Sequence, residues 1–417
     1  MKKTQVNRNF IWAETFVNQL YALGVRNVCI SPGSRSTPLT LAFTKIKKIK
    51  SFVNIDERVS GFFALGIAKA IEQPVVIITT SGTATAELYP AIVEAYMSKV
   101  PLIICTADRP PELLNRGANQ TINQWNLYRN HIRYFKNVGS PRLSIGGLNS
   151  LKKIASKTFE ICSEKNRGPV HINFPFRKPL EPNSSTDEVD EEIITCVRNP
   201  KLPKERTNES DVIPKYFSRL VNKFVDKIEQ YEKGLIIVGP SGFDRSECSE
   251  IIRLALISGY PVLADGLSQL RFQKSKSSRN VCVNYDSYLR SNVFTSRIKP
   301  DIIFNFGRTV TSTFLQHYLA NSGAEWFIIN KYGDIFDPDR KSKAPIKSDA
   351  KDFCNALNQK LLSAGFNRKN TGWKKLFTIA EKKSAGVKDV LLDNAKLRFE
   401  PKVINECISS LPSNIKV

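Results

Sequence analysis

With 417 residues, 41% hydrophobic and 24% charged, the chain has a globular composition that excludes wholesale disorder and suggests two or three domains. It contains no apolar run of about 18 residues, no apolar N-terminal core and no CxxC pair among its eight scattered cysteines; a membrane span, a secretory leader and a zinc site are therefore not expected, and a reducing cytoplasm is. The formal charge of +23 is spread along the sequence: 18 lysines and arginines face 8 acids in residues 1–150, 17 face 17 in 151–250, and 27 face 14 in 251–417. Without a helix-turn-helix, RRM or KH signature, that surplus points away from nucleic acid and towards an anionic small molecule.

In chain order, residues 9–23 carry apolar side chains at helical spacing (Phe10, Ala13, Phe16, Val17, Leu20), and Gly24 supplies the stop. Short apolar runs at 27–30, 51–55, 75–79, 102–106 and 170–174 read as strands, with helical patterns at 60–71 and 85–97 between them. Strands that are apolar almost throughout and alternate with helices indicate a parallel sheet covered on both faces. Residues 180–213 are polar and proline-containing without a sustained period, as in a linker. Strand patterns resume at 234–238, 261–264, 301–306 and 325–329, which is Rossmann-like. Residues 402–410 predict a helix, and the final LPSNIKV begins a strand pattern that is expected to be cut short. The fold class is α/β, with two doubly wound, mainly parallel-sheet domains.

Ligands of an open parallel sheet bind beyond the carboxyl ends of its strands, and in the first half of the sequence polar residues gather there. Ser31-Pro-Gly-Ser-Arg-Ser-Thr-Pro38 follows the first strand, with Thr37 as a helix cap before Pro38. Asp56-Glu57-Arg58 follows the second, and Thr80-Ser-Gly-Thr-Ala84 turns from the third into a helix N-terminus suited to an anion or a polar ring. Ala107-Asp-Arg-Pro-Pro-Glu112 and Asn115-Arg-Gly-Ala-Asn-Gln120 follow the fourth. Taken singly, each loop reads as an ordinary turn or a surface charge cluster; four at successive strand ends point to a site. Gly239-Pro-Ser-Gly242 lacks the GxGxxG spacing of a phosphate loop and reads as a tight turn. Phe62 and Phe63 are expected in the core, and Cys29 and Cys105 are expected to pack within strands rather than act as nucleophiles.

The ordered motifs ISPGSRSTPLTLAF, NIDERVSGFFALGIAKA, TTSGTATAELYPAIVEA, PLIICTADRPPEL and RGANQTINQ resemble the pyrimidine-binding domain of the 2-succinyl-5-enolpyruvyl-6-hydroxy-3-cyclohexene-1-carboxylate synthase (MenD) family, thiamine-diphosphate enzymes of menaquinone biosynthesis. VLADGLSQLR, NYDSYLR, PDIIFNFGRTVTS and DPDR are similar, in order, to that family's central domain. The resemblance implies a pyrimidine-binding domain at 1–185, a linker at 186–212, a central Rossmann-like domain at 213–395, and the start of a diphosphate-binding domain at 396–417.

The resemblance also implies a reaction, in which 2-oxoglutarate is decarboxylated and the resulting succinyl carbanion adds in conjugate fashion to isochorismate. Glu57 matches the glutamate that hydrogen-bonds the cofactor's aminopyrimidine ring, a role for a partly buried carboxyl poised to share a proton. Gly82 and Thr83 would approach that ring or the bound intermediate. Ser34, Arg35, Arg109, Asn119 and Gln120 would line the isochorismate side, where arginine grips a carboxylate in a way lysine does not. In the family, Mg2+ and the diphosphate are held by a GD motif followed by paired asparagines. Gly333-Asp334 is the only GD pair here and no Asn-Asn follows it, so those ligands are expected from a further domain or another polypeptide and no metal ligand is assigned. Family sites form between subunits, which implies a homo-oligomer or a partner carrying the diphosphate-binding domain. Two other readings stay open on the residues alone: a non-catalytic isochorismate-binding or regulatory subunit of a full-length partner, and, last, a basic nucleic-acid binder. Arg271, Arg290 and Arg308 could face either a site or solvent.

Overall fold

A computed structural model describes residues 3–164, 166–202, 215–272, 281–368, 371–395 and 399–412. The protein divides into two compact units, Met1–Glu209 and Ser210–Val417. In the first, the strands are β1 (Lys3–Val6), β2 (Asn27–Ile30), β3 (Lys50–Val53), β4 (Val75–Thr79), β5 (Leu102–Asp108), β6 (Tyr134–Asn137), β7 (Val170–Pro175) and β8 (Asp187–Asp190). The helices are α1 (Arg8–Ala22), α2 (Thr37–Thr44), α3 (Glu57–Ile71), α4 (Thr83–Glu87), α5 (Tyr89–Ser98), α6 (Ile145–Ser163) and α7 (Glu191–Arg198).

Six strands form a parallel sheet in the order β3-β2-β4-β5-β7-β6. Because successive side chains of a strand point to opposite faces, each strand feeds two cores. Val28, Ile30, Val76, Ile78, Ile103, Val170 and Ile172 pack under α1, α2 and α6, while Cys29, Val75, Ile77, Leu102 and Ile104 pack under α3 and α5. Burial pushes the Cys29 thiol up to about 12 and raises that of Cys105 as well, so both stay protonated packing groups. Gly61 lets α3 lie close on α5, since a Cβ there would stand 2.9 Å from that of Ala91. Ser60, Gly61, Ala64, Leu65 and Ala68 take the buried face of α3. Phe62 and Phe63, expected in the core, are consequently left 49% and 44% exposed on its other side. The pattern expected as one helix at 85–97 is split at Leu88 into α4 and α5, with Pro90 in the first turn of α5.

The linker expectation for 186–212 needs correction over its first part. β8 pairs antiparallel with β1, Lys3 opposite Asp190 and Val6 opposite Asp187, and α7 lays Ile193 and Val197 into the first core. The Asp187 carboxylate holds Arg8 at the start of α1. Buried Lys152 donates to the carbonyls of Cys196 and Asn199 at 2.6 and 2.7 Å, closing the end of α7. Composition hid this segment because its partners lie about 180 residues earlier in the sequence. Residues 203–212 of the expected linker lie outside the described residues.

The second unit contains β9 (Gly234–Val238), β10 (Val262–Ala264), β11 (Val281–Cys282), β12 (Ile302–Phe306), β13 (Glu325–Asn330) and β14 (Ile346–Lys347). Its helices are α8 (Lys215–Gln230), α9 (Arg245–Ser258), α10 (Tyr285–Leu289), α11 (Asn292–Arg297), α12 (Thr313–Ala320), α13 (Ala350–Ser363), α14 (Gly372–Asn394) and α15 (Glu400–Ser409). The sheet is again parallel, ordered β11-β10-β9-β12-β13-β14. Phe224, Phe304, Phe327 and Phe353 form an edge-to-face cluster on the α8, α9 and α13 side, and Trp326, Trp373 and Phe377 fill the opposite face. Within 396–417, expected to open a further domain, the described residues form α15; the strand pattern expected at its end falls on 413–417, outside the described residues.

Gly239 ends β9 where the winding reverses towards β12, and a Cβ at that position would lie 1.9 Å from the Arg308 carbonyl oxygen. Gly239→Ala is therefore expected to destabilise the second unit by about 1–3 kcal/mol or more, because a backbone neighbour must move. Gly266→Ala, which meets nothing within 4 Å, is the reference and should change stability by less than about 0.5 kcal/mol in urea unfolding. In the first sheet, His171 of β7 is fully buried against the Thr106 hydroxyl at 2.7 Å, and burial lowers its pKa from 6.5 to about 3. The unfolded protein then binds the extra proton between those values, so stability is full above 6.5 and is lost as the pH falls through that window. The slope should approach about 1.4 kcal/mol per pH unit. His171→Asn should flatten it between pH 7.5 and 5.5 in urea titrations, whatever its effect on absolute stability.

Candidate functional site

The order β3-β2-β4-β5 puts four neighbouring carboxyl ends on one edge, and the winding reverses between β2 and β4. At such a switch point the two following loops part and leave a crevice. Ser31 N–H donates to the Ile78 carbonyl at 2.9 Å, extending the β2–β4 pairing by one residue. Gly33 then presses on Thr80 so closely that a Cβ would stand 2.4 Å from the threonine Cβ. A 3₁₀ turn at Ser34–Ser36 leads into α2, with Ser36 at the cap position and Thr37 and Pro38 as its first two residues. The expected Thr37 cap is thus displaced by one residue: the tight turn has already begun the helix, and Ser36 Oγ turns back to the Gly33 carbonyl at 2.9 Å.

This turn leaves Ser34 exposed and Arg35 buried, 5% exposed. One Arg35 Nη donates to the Phe176 carbonyl at 2.6 Å, while its buried Nε has no partner. Burial, and after it the charge of Arg109, lower the Arg35 pKa, against the pull of Asp108. Asp108, itself 1% exposed, accepts the Arg109 N–H at 2.7 Å and the Asn173 amide at 2.8 Å. Its pKa is raised by burial in spite of those bonds. Two guanidinium groups beside one carboxylate that burial disfavours leave the locality suited to an incoming anion. The Arg109 guanidinium reaches the Asn119 carbonyl at 2.9 Å, and Ser81 Oγ donates to the Gln120 carbonyl at 3.0 Å. Through these backbone contacts the Asn119 and Gln120 side chains are carried to the same edge, both exposed.

Glu57 is the first residue of α3, behind the Asp56 cap that accepts the Arg58 N–H at 2.8 Å. Asp56 and Arg58 pair with each other at 2.5 Å, and Arg58 lies 3.9 Å from Glu87. Among the described residues Glu57 alone of that triplet has an uncommitted side chain; it is half-buried at a helix N-terminus, where the peptide dipoles favour a carboxylate. Gly82 adopts φ +84°, which a side chain would oppose, and any Cβ would meet Gln120 at 3.0 Å; Thr83 follows, exposed, at the start of α4. Five buried polar atoms without partners cluster along these strand ends: Ser31 Oγ, Arg35 Nε, Asn54 Nδ2, Ser60 Oγ and Thr79 Oγ1. Buried polar atoms in native proteins are nearly always paired, and a ligand at this edge would supply partners for these five; ten more such atoms among the described residues lie elsewhere.

Sequence reasoning missed the residues beneath this edge. Gln124, Asn173 and Thr106 are fully buried and hydrogen-bonded to one another or to Asp108. Asn173 was detectable as an amide inside the apolar run VHINFP; Gln124, in an irregular segment, offered no periodicity. In the second unit, Arg290 pairs with Asp286 at 2.9 Å and lies over the Phe314 ring, while Arg308 lies over Phe336. Gly333-Asp334 is folded into a turn by Asn330, whose Oδ1 accepts the Asp334 N–H at 3.0 Å. Among the described residues no group of three or more His, Cys, Asp or Glu could hold a metal ion, and no helix is long and apolar enough to cross a membrane.

Both units match domains of thiamine enzymes. Residues 12–127 match the family model "Thiamine pyrophosphate enzyme, N-terminal TPP binding domain", and residues 218–406 match "Middle domain of thiamine pyrophosphate". The chain is 34% identical over 420 residues to the 2-succinyl-5-enolpyruvyl-6-hydroxy-3-cyclohexene-1-carboxylate synthase of Gloeothece citriformis, covering 99% of this chain and 70% of that protein. It is 31% identical to the synthase of Myxococcus xanthus, over 98% of this chain and 68% of that protein. It is 39% identical to that of Haloquadratum walsbyi, over 79% of this chain but 53% of that protein, so the chain spans about half the length of some relatives it matches. The chain belongs to the 2-succinyl-5-enolpyruvyl-6-hydroxy-3-cyclohexene-1-carboxylate synthase family of thiamine-diphosphate enzymes.

Proposed function

We propose that the protein supplies the pyrimidine-side and isochorismate-side part of a synthase site, in which 2-oxoglutarate is decarboxylated and the succinyl carbanion is added to isochorismate. The observation that carries this reading is the buried Arg35, its Nε unpartnered, beside Arg109 at the switch point between β2 and β4. Isochorismate is a dicarboxylate, and a carboxylate bound there would satisfy Arg35 and offset the repulsion between the two guanidinium groups. Ser34, Asn119 and Gln120 offer hydroxyl and amide groups from the same edge.

The residues present fit thiamine diphosphate on its pyrimidine side. Glu57 has a free carboxylate, and Gly82, at φ +84° and packed against Gln120, makes the turn that brings Thr83 to the same edge. When bound, the cofactor supplies the carbanion chemistry. The protein's own part is to hold and share a proton at the Glu57 carboxylate, to bring Gly82 and Thr83 up to the ring or the bound intermediate, and to orient the dicarboxylate through Arg35 and Arg109. Mg2+ is proposed with the diphosphate, both held by a further domain or another polypeptide. A homo-oligomer, or a partner with a diphosphate-binding domain, is the proposed assembly. The cytoplasm is the proposed compartment, supported by eight free cysteines, all but Cys196 and Cys407 buried.

Calorimetric titration of isochorismate into the full-length protein tests the carboxylate site. Arg35→Ala and Arg35→Lys are each expected to weaken binding about 10- to 100-fold, because a charge-assisted bidentate grip is lost. Wild-type affinity in both variants would remove Arg35 from the site. Turnover is measured as isochorismate consumption with 2-oxoglutarate, thiamine diphosphate and Mg2+, with and without an added diphosphate-binding domain from a relative. In the active mixture, Glu57→Gln is expected to lower the rate at least about 100-fold without weakening isochorismate binding; a loss of less than about tenfold would exclude Glu57 as the proton-sharing group. Isochorismate binding with no turnover in either mixture would favour a non-catalytic binding subunit.

A further inference from the structure

We propose that Gln124 is a positioning residue of this site: its buried side-chain amide ties the loop carrying Gly82 and Thr83 to the strand end carrying Arg109, and so sets the cofactor side and the carboxylate side relative to each other. The proposal rests on the carboxylate reading above. Gln124 is fully buried, and its two ends are dictated by backbone partners. Its Oε1 accepts the Gly82 N–H at 2.9 Å, and its Nε2 donates to the Ala107 carbonyl at 3.1 Å, so the amide can be placed only one way round. The same Nε2 donates to Asn173 Oδ1 at 2.9 Å; Asn173 Nδ2 donates to Asp108 Oδ2 at 2.8 Å, and Asp108 Oδ1 accepts the Arg109 N–H at 2.7 Å. An unbroken run of buried hydrogen bonds therefore leads from the residue before α4 to the backbone of Arg109. The segment that follows Gln124 braces the α4–α5 region again, through the Tyr128 hydroxyl on the Thr85 carbonyl and His131 Nδ1 against the Tyr89 hydroxyl at 2.9 Å.

No atom of Gln124 is needed to touch a substrate. Its effect would pass through Gly82, which leads into Thr83, and through Arg109. A polar network buried in low dielectric is stiff when fully paired, and losing one member leaves the others unsatisfied. Groups held that way keep the sub-ångström placement that a two-substrate site requires. Glutamate at 124 would keep the acceptor for Gly82 but lose both donors while ionised, and would set a second carboxylate close to Asp108. The titratable groups of the surrounding network are Asp108, Arg109, His171 and Tyr128, with Arg35 nearby; burial keeps His171 neutral and Tyr128 protonated across pH 5.5–8. The carboxyl introduced by Gln124→Glu is the titratable group that the variant adds to this network, and its protonation restores one donor.

The test uses the full-length protein with Gln124→Leu and Gln124→Glu, reading isochorismate affinity from pH 8 to 5.5 and backbone amide exchange by mass spectrometry. Both variants are expected to bind at least about tenfold more weakly at pH 8. Gln124→Glu should regain affinity as the pH falls, while Gln124→Leu should not. Exchange should quicken about tenfold in the 106–110 peptide of both variants, and in the 80–85 peptide of Gln124→Leu alone, relative to peptides of β6 and α6. If the wild type binds isochorismate and both variants bind equally well, the positioning role is overturned while the carboxylate reading survives. If the wild type does not bind, the carboxylate reading falls, and exchange at 80–85 and 106–110 still decides whether Gln124 couples the two segments. Uniformly faster exchange across the unit, with no pH-dependent recovery in Gln124→Glu, would reduce Gln124 to a packing residue and overturn the proposal. Should Gln124→Leu fail to fold, Gln124→Glu carries the test through its pH recovery and its restriction to the 106–110 peptide.

Discussion

Asn173 lies in a strand that is buried from end to end, and its side-chain amide has to find every partner inside the sheet. A buried amide left unpaired costs about 1–3 kcal/mol per group, so the neighbouring strand and the loop above must present complementary atoms. They do: Thr106 donates from β5, Gln124 from the loop, and Asp108 accepts. That one requirement brings together the end of β5, the segment around Gln124 and the start of α4. The upper surface of the sheet edge inherits its shape from this pairing, and the unpartnered atoms of Ser31, Arg35 and Thr79 lie above or beside it.

The two units use one topology to different ends. Both are parallel, doubly wound sheets, and both reverse their winding next to the first strand of the sheet. In the second unit the crevice at that reversal is occupied by the protein's own backbone: Gly239 has no side chain because the Arg308 backbone occupies its place, and Gly307 at φ +81° approaches the Gly239 carbonyl in return. In the first unit Gly33 brings its loop down onto Thr80, yet the turn that follows carries Arg35 inward with an unsatisfied nitrogen. The difference is one of backbone against side chain. Where backbone fills the reversal the turn is tight; where a charged side chain is carried inward, as Arg35 is, one of its donors is left without a partner.

The overall excess of positive charge contributes little to that distinction. Most surface cations pair with acids or stand in solvent, as Lys45 does with Glu14 at 2.7 Å, and such pairs are worth at most about 1 kcal/mol. Arg35 differs because it is buried, and Asp108 differs because its charge is disfavoured by the same burial. Local dielectric, more than the number of charges, makes this edge the candidate for an anion.

The sequence by itself determined the class of fold and singled out one sheet edge as the candidate site. Apolar strands alternating with helices can bury both faces of a sheet only as a parallel, layered structure, and polar loops after 27–30, 51–55, 75–79 and 102–106 then share an edge. It also singled out Glu57, Arg35 and Arg109 as chemistry-bearing residues. Only the tertiary structure decided which member of Asp56-Glu57-Arg58 is uncommitted, that Phe62 and Phe63 face outward, that 187–198 belongs to the first unit, and that Gln124 ties Gly82 to the end of β5. Periodicity reports which face of an element is apolar, a property of neighbours in the sequence. Hydrogen-bond pairing between residues 42 to 187 positions apart, as between Gly82 and Gln124 or β1 and β8, leaves no periodic trace and exists only once the layers have closed.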